Sequence, residues 1–523
     1  MHHRPDNNFH AWLKFSLGIL FVNTALSGTC AETPDPLLAL FIQKGFVTQQ
    51  EAEKVKAEAD AIRGRTNNGT ASSLDGSKWK FGLGIKNVEL FGDLRLRYEN
   101  RQAEDPLHNQ IQLDRLRYAV RLGLRGEVFD GYYYGLRLDT ASNPRSAWVT
   151  FGSSSSGAPF QGPFGKSTGG INVGQVYLGW HPWDWIDITA GKMSNPLYTT
   201  AMVWDPDLNP EGLAERSRFT VGEADFFATF GQFLYQDTNP TKASPGFFNF
   251  GGTKSSLPFL LAWQAGVDYH FSKKLSAKVA PVIYSYTGRG ANTSVNSATP
   301  DFTGTFVGQG STNGPASPGA SGFPTGFYDG FTANQTGIND LMVLEIPAEV
   351  NFKLDHLNLR LFGDYAQNLL GAERADAAFL GVSRAFVPDN TGGIVPIPSP
   401  QRNDTKAWQI GLAIGSQGGL GLVTGSVAKR HAWEARAYWQ HVEQYSLDPN
   451  LIDSDFFEGR ENMEGFYTAL SYGLTENMVG TFRFGYADRI NKKLGTGGSN
   501  QDIPQINPIH HFTVLQLDLA FKF

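Results

Sequence analysis

The last thirteen residues constrain the chain most. From His511 to Phe523, Leu515, Leu517, Leu519, Phe521 and Phe523 alternate with Gln516, Asp518, Ala520 and Lys522. A period of two places these sets on opposite faces of a β-strand, one apolar and one polar. The strand ends the chain on an aromatic residue.

The same alternation recurs from Val88 onward. Leu90, Leu94, Leu96 and Tyr98 oppose Asp93, Arg95, Arg97 and Glu99. Leu116, Tyr118, Val120, Leu122 and Leu124 oppose Arg115, Arg117, Arg121 and Arg125, and Tyr132 to Leu138 follow after the tight turn Phe129-Asp130-Gly131. Further ribbons run through 261–271, 342–353, 433–440 and 481–486. Short turns, near 129–131, 181–185, 221–224, 272–274, 354–357 and 474–477, alternate with long links near 100–112, 142–170, 194–213, 236–258, 288–340, 370–404, 444–462 and 489–510. Short turns on one side and long loops on the other are the asymmetry of an outer-membrane barrel; one link, near 416–431, should be short on this pattern and is not. A soluble sandwich would not carry so many long structureless loops.

The expected fold is therefore all-β: a transmembrane antiparallel β-barrel of about 16 strands, with a short N-terminal helical segment. Lipid offers no partner to an unpaired backbone group, so a spanning sheet must close. The terminal strand resembles the signal that the β-barrel assembly machinery reads on its clients. The mean hydropathy of −0.28 fits this reading, because lipid-facing and lumen-facing residues cancel in the average. A net charge of −6 gives no electrostatic footprint for nucleic acid. One cysteine, Cys30, leaves no disulfide framework and no Cys-based metal site.

At the amino-terminus, Arg4 and Lys14 precede the apolar stretch Phe15–Leu26 and the small residues Ser27-Gly28-Thr29-Cys30-Ala31. This reads as a signal peptide over 1–31, cleaved after Ala31, the alternative being lipidation of Cys30. Residues 32–65 read as a periplasmic helical segment. Asp35-Pro36 starts one helix, and Thr48-Gln49-Gln50-Glu51 is a capping box for a second. An Asn/Gly/Ser-rich linker, 66–87, leads to the barrel over 88–523.

The link at 194–213 differs from the others, which are rich in Gly, Ser and Asn. It contains Met202-Val203-Trp204-Asp205-Pro206-Asp207-Leu208-Asn209-Pro210-Glu211-Gly212, and Trp, Pro and acids predict a fixed shape. This run, with Gly92-Asp93-Leu94-Arg95-Leu96-Arg97-Tyr98-Glu99 and the helical preface, resembles the putative porin family of Gram-negative outer membranes. The resemblance implies an outer-membrane diffusion channel for small hydrophilic solutes or ions. It also implies a homotrimer embedded among outer-membrane lipid and lipopolysaccharide, with the third outside loop folded into the barrel as a constriction. No cofactor follows from it.

The polar faces of the first three strands carry Arg95, Arg97, Arg115, Arg117, Arg121, Arg125 and Arg137, expected to line the pore. Trp204, Asp205, Asp207 and Glu211 are the expected constriction-loop residues. Either the two sets face each other across the narrowest point and set up a transverse field, or they pair along the lumen and neutralise one another. Two other functions are open to such a barrel: an adhesin or receptor acting through its long loops, and a barrel-embedded hydrolase. For the hydrolase, no Ser/His/Asp spacing singles out a nucleophile and base. Gly165-Lys166-Ser167 ends like a phosphate loop, but Phe160 stands where its first Gly is required. Asp448 to Asp455 lacks the calcium-loop pattern.

Overall fold

The computed structural model describes residues 85–106, 108–141, 146–152, 170–235, 259–287, 340–380, 386–388, 394–396, 399–416, 429–496, 502–503 and 508–523. The expected signal peptide (1–31), helical segment (32–65) and nearly all of the linker (66–87) lie outside the described residues.

Sixteen strands cross in sequence: β1 (Asn87–Glu104), β2 (Gln110–Glu127), β3 (Tyr132–Ala141), β4 (Gly170–Trp183), β5 (Ile186–Lys192), β6 (Glu211–Val221), β7 (Ala224–Leu234) and β8 (Phe259–Ser272). The rest are β9 (Leu275–Val279 with Val282–Tyr286), β10 (Met342–Lys353), β11 (Leu357–Asn368), β12 (Lys406–Ser416), β13 (Trp433–Val442), β14 (Met463–Gly473), β15 (Met478–Arg489) and β16 (His511–Lys522). Pro281 has no N–H to give the ladder, and β9 is broken there. A two-residue strand, Val149–Thr150, adds to β2, and the β11–β12 link carries the helix α1 (Gly371–Leu380).

Each strand pairs antiparallel with its neighbours in the chain, and the ends meet: Leu94 faces Val120 on one side and Phe521 on the other. The sheet therefore closes on itself and has no edge. Gly92 lies at this seam. A Cβ there would come within 2.7 Å of the Phe523 ring, so the terminal aromatic packs where a side chain is missing.

The expected alternation holds in three dimensions. Leu90, Leu94, Leu96, Leu116, Leu122 and Leu519 are exposed on the outer surface, whereas Arg97, Arg117 and Gln516 are buried inside. Tyr132 stacks on Trp180 and Trp183 on Trp185 on the outer face near the short turns, as a girdle requires. The segment 211–221, whose alternation is faint in sequence, is a full strand. The link expected over 100–112 shrinks to 105–109, because β1 and β2 each run 18 residues.

The apolar core sits inside the barrel. Met193, Leu197, Met202, Val203 and Trp204 of the β5–β6 loop pack with Leu447, Ile452, Phe456 and Phe457 of the β13–β14 loop. Leu260, Tyr284, Met463 and Phe512 supply wall residues to the same cluster.

Candidate functional site

The site is the lumen and the loops that enter it. The β5–β6 loop is shaped locally first. Trp204 N–H donates to the Thr200 carbonyl at 2.9 Å, Leu208 N–H to the Asp205 carbonyl at 3.0 Å, and Asp207 N–H to Asp205 Oδ1 at 2.8 Å. Pro206 fixes its own φ between them. The Trp204 indole is buried edge-on against Phe233 and donates to the Leu208 carbonyl at 3.1 Å. That turn chemistry gives the run the fixed form its composition predicts.

The loop then spans from wall to wall. Tyr198 Oη donates to Glu349 of β10 at 2.5 Å, and Thr199 Oγ1 to Glu345 of the same strand at 2.6 Å. Thr200 Oγ1 donates to Asp364 of β11 at 2.5 Å. Gln264 of β8 accepts from Tyr198 N–H at 2.8 Å and donates to its carbonyl at 2.7 Å. On the far side, Gln175 of β4 bonds Ser194 and Asn209, and Arg121 of β2 pairs with Asp207. Residues of one loop thus touch lumen-facing side chains of five strands.

A second loop joins it, one the sequence reading left among the ordinary links. Asp205 N–H donates to the Leu451 carbonyl at 2.6 Å, and Asp453 N–H to the Ala201 carbonyl at 3.2 Å. These two bonds tie the β5–β6 loop to the β13–β14 loop, residues 443–462. Phe457 and Glu458 both take the left-handed conformation, with φ of 58° and 57°, which costs on the order of 1–3 kcal/mol per residue. Glu458 is held there by Arg101 at 3.4 Å and Arg460 at 3.2 Å.

The seven arginines all point into the lumen, and each has a carboxylate. Arg95 meets Asp93 at 2.7 Å, Arg125 meets Glu89 at 2.7 Å and Arg137 meets Asp139 at 2.7 Å, all partners from the strands themselves. Arg97 binds Asp455 and Asp518, both at 2.7 Å, with its guanidinium 4.2 Å from the Trp148 ring centre. Arg115 bonds Asp502 at 2.5 Å and also pairs with Glu99, while Arg117 lies 3.7 Å from Glu99. The pairing alternative of the two raised by the sequence therefore describes most of the wall. Only Arg121 meets the β5–β6 loop directly. Glu211 is a correction: it opens β6 rather than the loop, and its side chain pairs with Lys192 at 2.6 Å on the outer face.

Four loop carboxylates gather where the two loops meet. Asp207 is held below the usual carboxylate range: burial opposes this, but Arg121 and Arg95 outweigh it. Asp455 is held low against burial by Arg97 and Arg483. Burial, with Asp453 and Asp207 beside it, pushes Asp205 well up. Burial and Asp455 push Asp453 up to about 7. No group of three or more His, Cys, Asp or Glu side chains among the described residues is arranged to hold a metal ion.

A closed barrel with a loop drawn across its inside points to a class, and comparison with known proteins decides it: the profile described as Putative porin matches residues 97–523. The chain belongs to this family. It is an outer-membrane β-barrel of the porin kind. No curated protein matches it in sequence. Among solved structures it is similar to the outer membrane channel DcaP of Acinetobacter baumannii, at 11% identity and a TM-score of 0.39, covering 86% of this chain and 100% of that one. It is also similar to an anion-selective porin from Comamonas acidovorans, at 10% identity and a TM-score of 0.37, covering 83% and 99%. The OmpT protein of Vibrio cholerae gives 8% identity and a TM-score of 0.39, covering 86% and 100%.

Proposed function

We propose that this porin is a non-enzymatic, passive diffusion channel for small hydrophilic solutes or ions, narrowed by the β5–β6 loop together with the β13–β14 loop. The observation that carries the reading is the set of bonds from Tyr198, Thr199, Thr200 and Asp207 to lumen-facing groups on opposite walls. A loop held at both sides of a water-filled passage limits what passes. Arg121 and Arg97 close directly on Asp207 and Asp455, so these charges pin the two loops to the wall and largely neutralise one another. Because the wall arginines are paired, ion selectivity is weak, with at most a leaning toward anions. The porin assembles as a homotrimer among lipid and lipopolysaccharide, and the assembly machinery reads the strand that ends at Phe523. Liposome swelling with sugars and amino acids of graded size tests the reading. Swelling that falls with solute size supports it; a purified, folded protein that passes none overturns it in favour of an adhesin or receptor.

A further inference from the structure

Among the described residues, the outer surface breaks the apolar rule at mid-height in one place. Ile188, Glu215 and Phe230 are cross-strand partners, and Phe230 stacks on Trp263, which is exposed on the outer face. Glu215 therefore points outward. The neighbouring strand residue Arg216 points the other way, into the lumen, where it meets Asp187 at 2.7 Å. Glu215 is not alone on this face. Gln232 Nε2 donates to its Oε1 at 3.0 Å, and Lys192 pairs with Glu211 nearer the outer end of the same face.

The height of this group matters. Glu215 lies six residues from the periplasmic end of β6 at Val221. At about 3.3 Å per residue and a tilt of about 40°, that is roughly 15 Å along the barrel axis. The apolar belt of such barrels is about 25 Å tall, so Glu215 and Gln232 fall within it. Lys192 and Glu211, partners across the strands, lie four residues nearer the outer end than Glu215, about 10 Å higher and toward the headgroups. Other outward ionisable groups among the described residues, such as Asp114, Lys406, Glu464 and Asp488, lie toward the outer ends of their strands, where headgroups and water solvate them.

A carboxylate and an amide within hydrocarbon would go unsolvated. We infer that the outer face of β5, β6 and β7 is covered by a second copy of this chain. Above them, toward the headgroups, the same face carries both signs in Lys192 and Glu211, so a rotated copy can offer its ammonium to the neighbour's carboxylate at that height. Ser217 and Ala228, directly paired across the strands, keep the same face low enough for close approach. The wall is shortest here, β5 having seven residues where β1 and β2 have 18. The inference rests on the oligomeric reading above and adds the surface that carries it.

Site-specific photo-crosslinking tests it. Benzoylphenylalanine is placed at Leu213 or Ser217 on this face, and at Leu412 on the far wall as the control, in full-length protein in its native membrane. Crosslinked species at multiples of the chain mass from Leu213 and Ser217, and none from Leu412, are the expected result. Lipid adducts at Leu213 and Ser217, or adducts to a different protein, overturn it. Native mass spectrometry of the same preparations separates the two readings: an oligomer that crosslinks only through Leu412 removes this surface and keeps the assembly, whereas a monomer removes both.

Discussion

Raising the pH should loosen the junction between the two lumen loops. Asp453 is the group to perturb, because its carboxyl is pushed up to about 7 from an ordinary 3.8, by burial first and then by Asp455. The docked junction therefore binds this proton more tightly than separated loops would. Its contribution to docking is complete below the ordinary carboxylate range and is lost as pH rises through about 7. The groups facing it are Asp205, Asp207 and Asp455, with Arg97 as the opposing cation and Tyr438 and Tyr467 close by. Asp207 and Asp455 stay ionised against Arg121 and Arg97 throughout this range. One proton gives up to tenfold per pH unit, so the docking equilibrium falls by up to roughly a hundredfold between pH 5 and 7. Asp453 keeps some contact with water, which screens part of this and makes the figure an upper value. The assay is hydrogen exchange on peptides spanning 201–208 and 449–457, because the Asp205 and Asp453 amides make the two bonds between the loops. Protection, corrected for the intrinsic rate, should drop with pH in the native chain and become flat in Asp453→Asn, which keeps the side-chain oxygen that accepts from Asp455 N–H. Equal pH dependence in both chains would refute the reasoning.

Three further outcomes follow from the same geometry. Arg121→Glu puts a carboxylate against Asp207 and breaks a half-buried pair, at a cost of about 3–5 kcal/mol to the docked loop if the pair behaves as buried; single-channel recordings should show larger, noisier conductance, restored in part by Asp207→Arg in the same chain. Leu412→Arg places a charge on the lipid face four residues from the end of β12 and should destabilise the barrel by roughly 2–4 kcal/mol in urea unfolding from bilayers, whereas Gln409→Arg, facing the lumen, should cost less. Gly92→Val drives a side chain into the Phe523 ring and the Arg121 carbonyl at the closing seam, and should slow barrel assembly as read by heat-modifiable mobility on gels.

The barrel was legible because its signal repeats. Every strand must alternate to separate lipid from water, and the turns must alternate in length to return the chain to the same side. Boundaries were less legible where polar residues continue a strand beyond the belt, as Asn100, Gln102, Gln112 and Asp114 do in β1 and β2. The Trp204 loop was visible through its Pro, Trp and acid content. Its partner loop has a similar signature, with Asp453, Asp455, Phe456, Phe457 and Glu458 in place of Gly and Ser, and comparison of the two loops could have found it. Partners of the arginines were not readable. Arg97 meets Asp455 and Asp518 across hundreds of residues, and only closure of β1 on β16 brings them together. Glu211 misled because the strand begins earlier than its weak alternation suggested.

The central claim is that the polar faces enclose a water-filled path while the apolar faces meet lipid. Adjacent positions on β8 test it most directly, since Val267 looks outward and Asp268 lines an 840 Å³ cavity below the β5–β6 loop. With Cys30, the chain's only cysteine, replaced, Cys is introduced at one position or the other and a charged thiol reagent is added to single channels in a planar bilayer. The account predicts that current changes in steps for Asp268→Cys and not for Val267→Cys. Modification of Val267→Cys that alters the current, with Asp268→Cys silent, would contradict it.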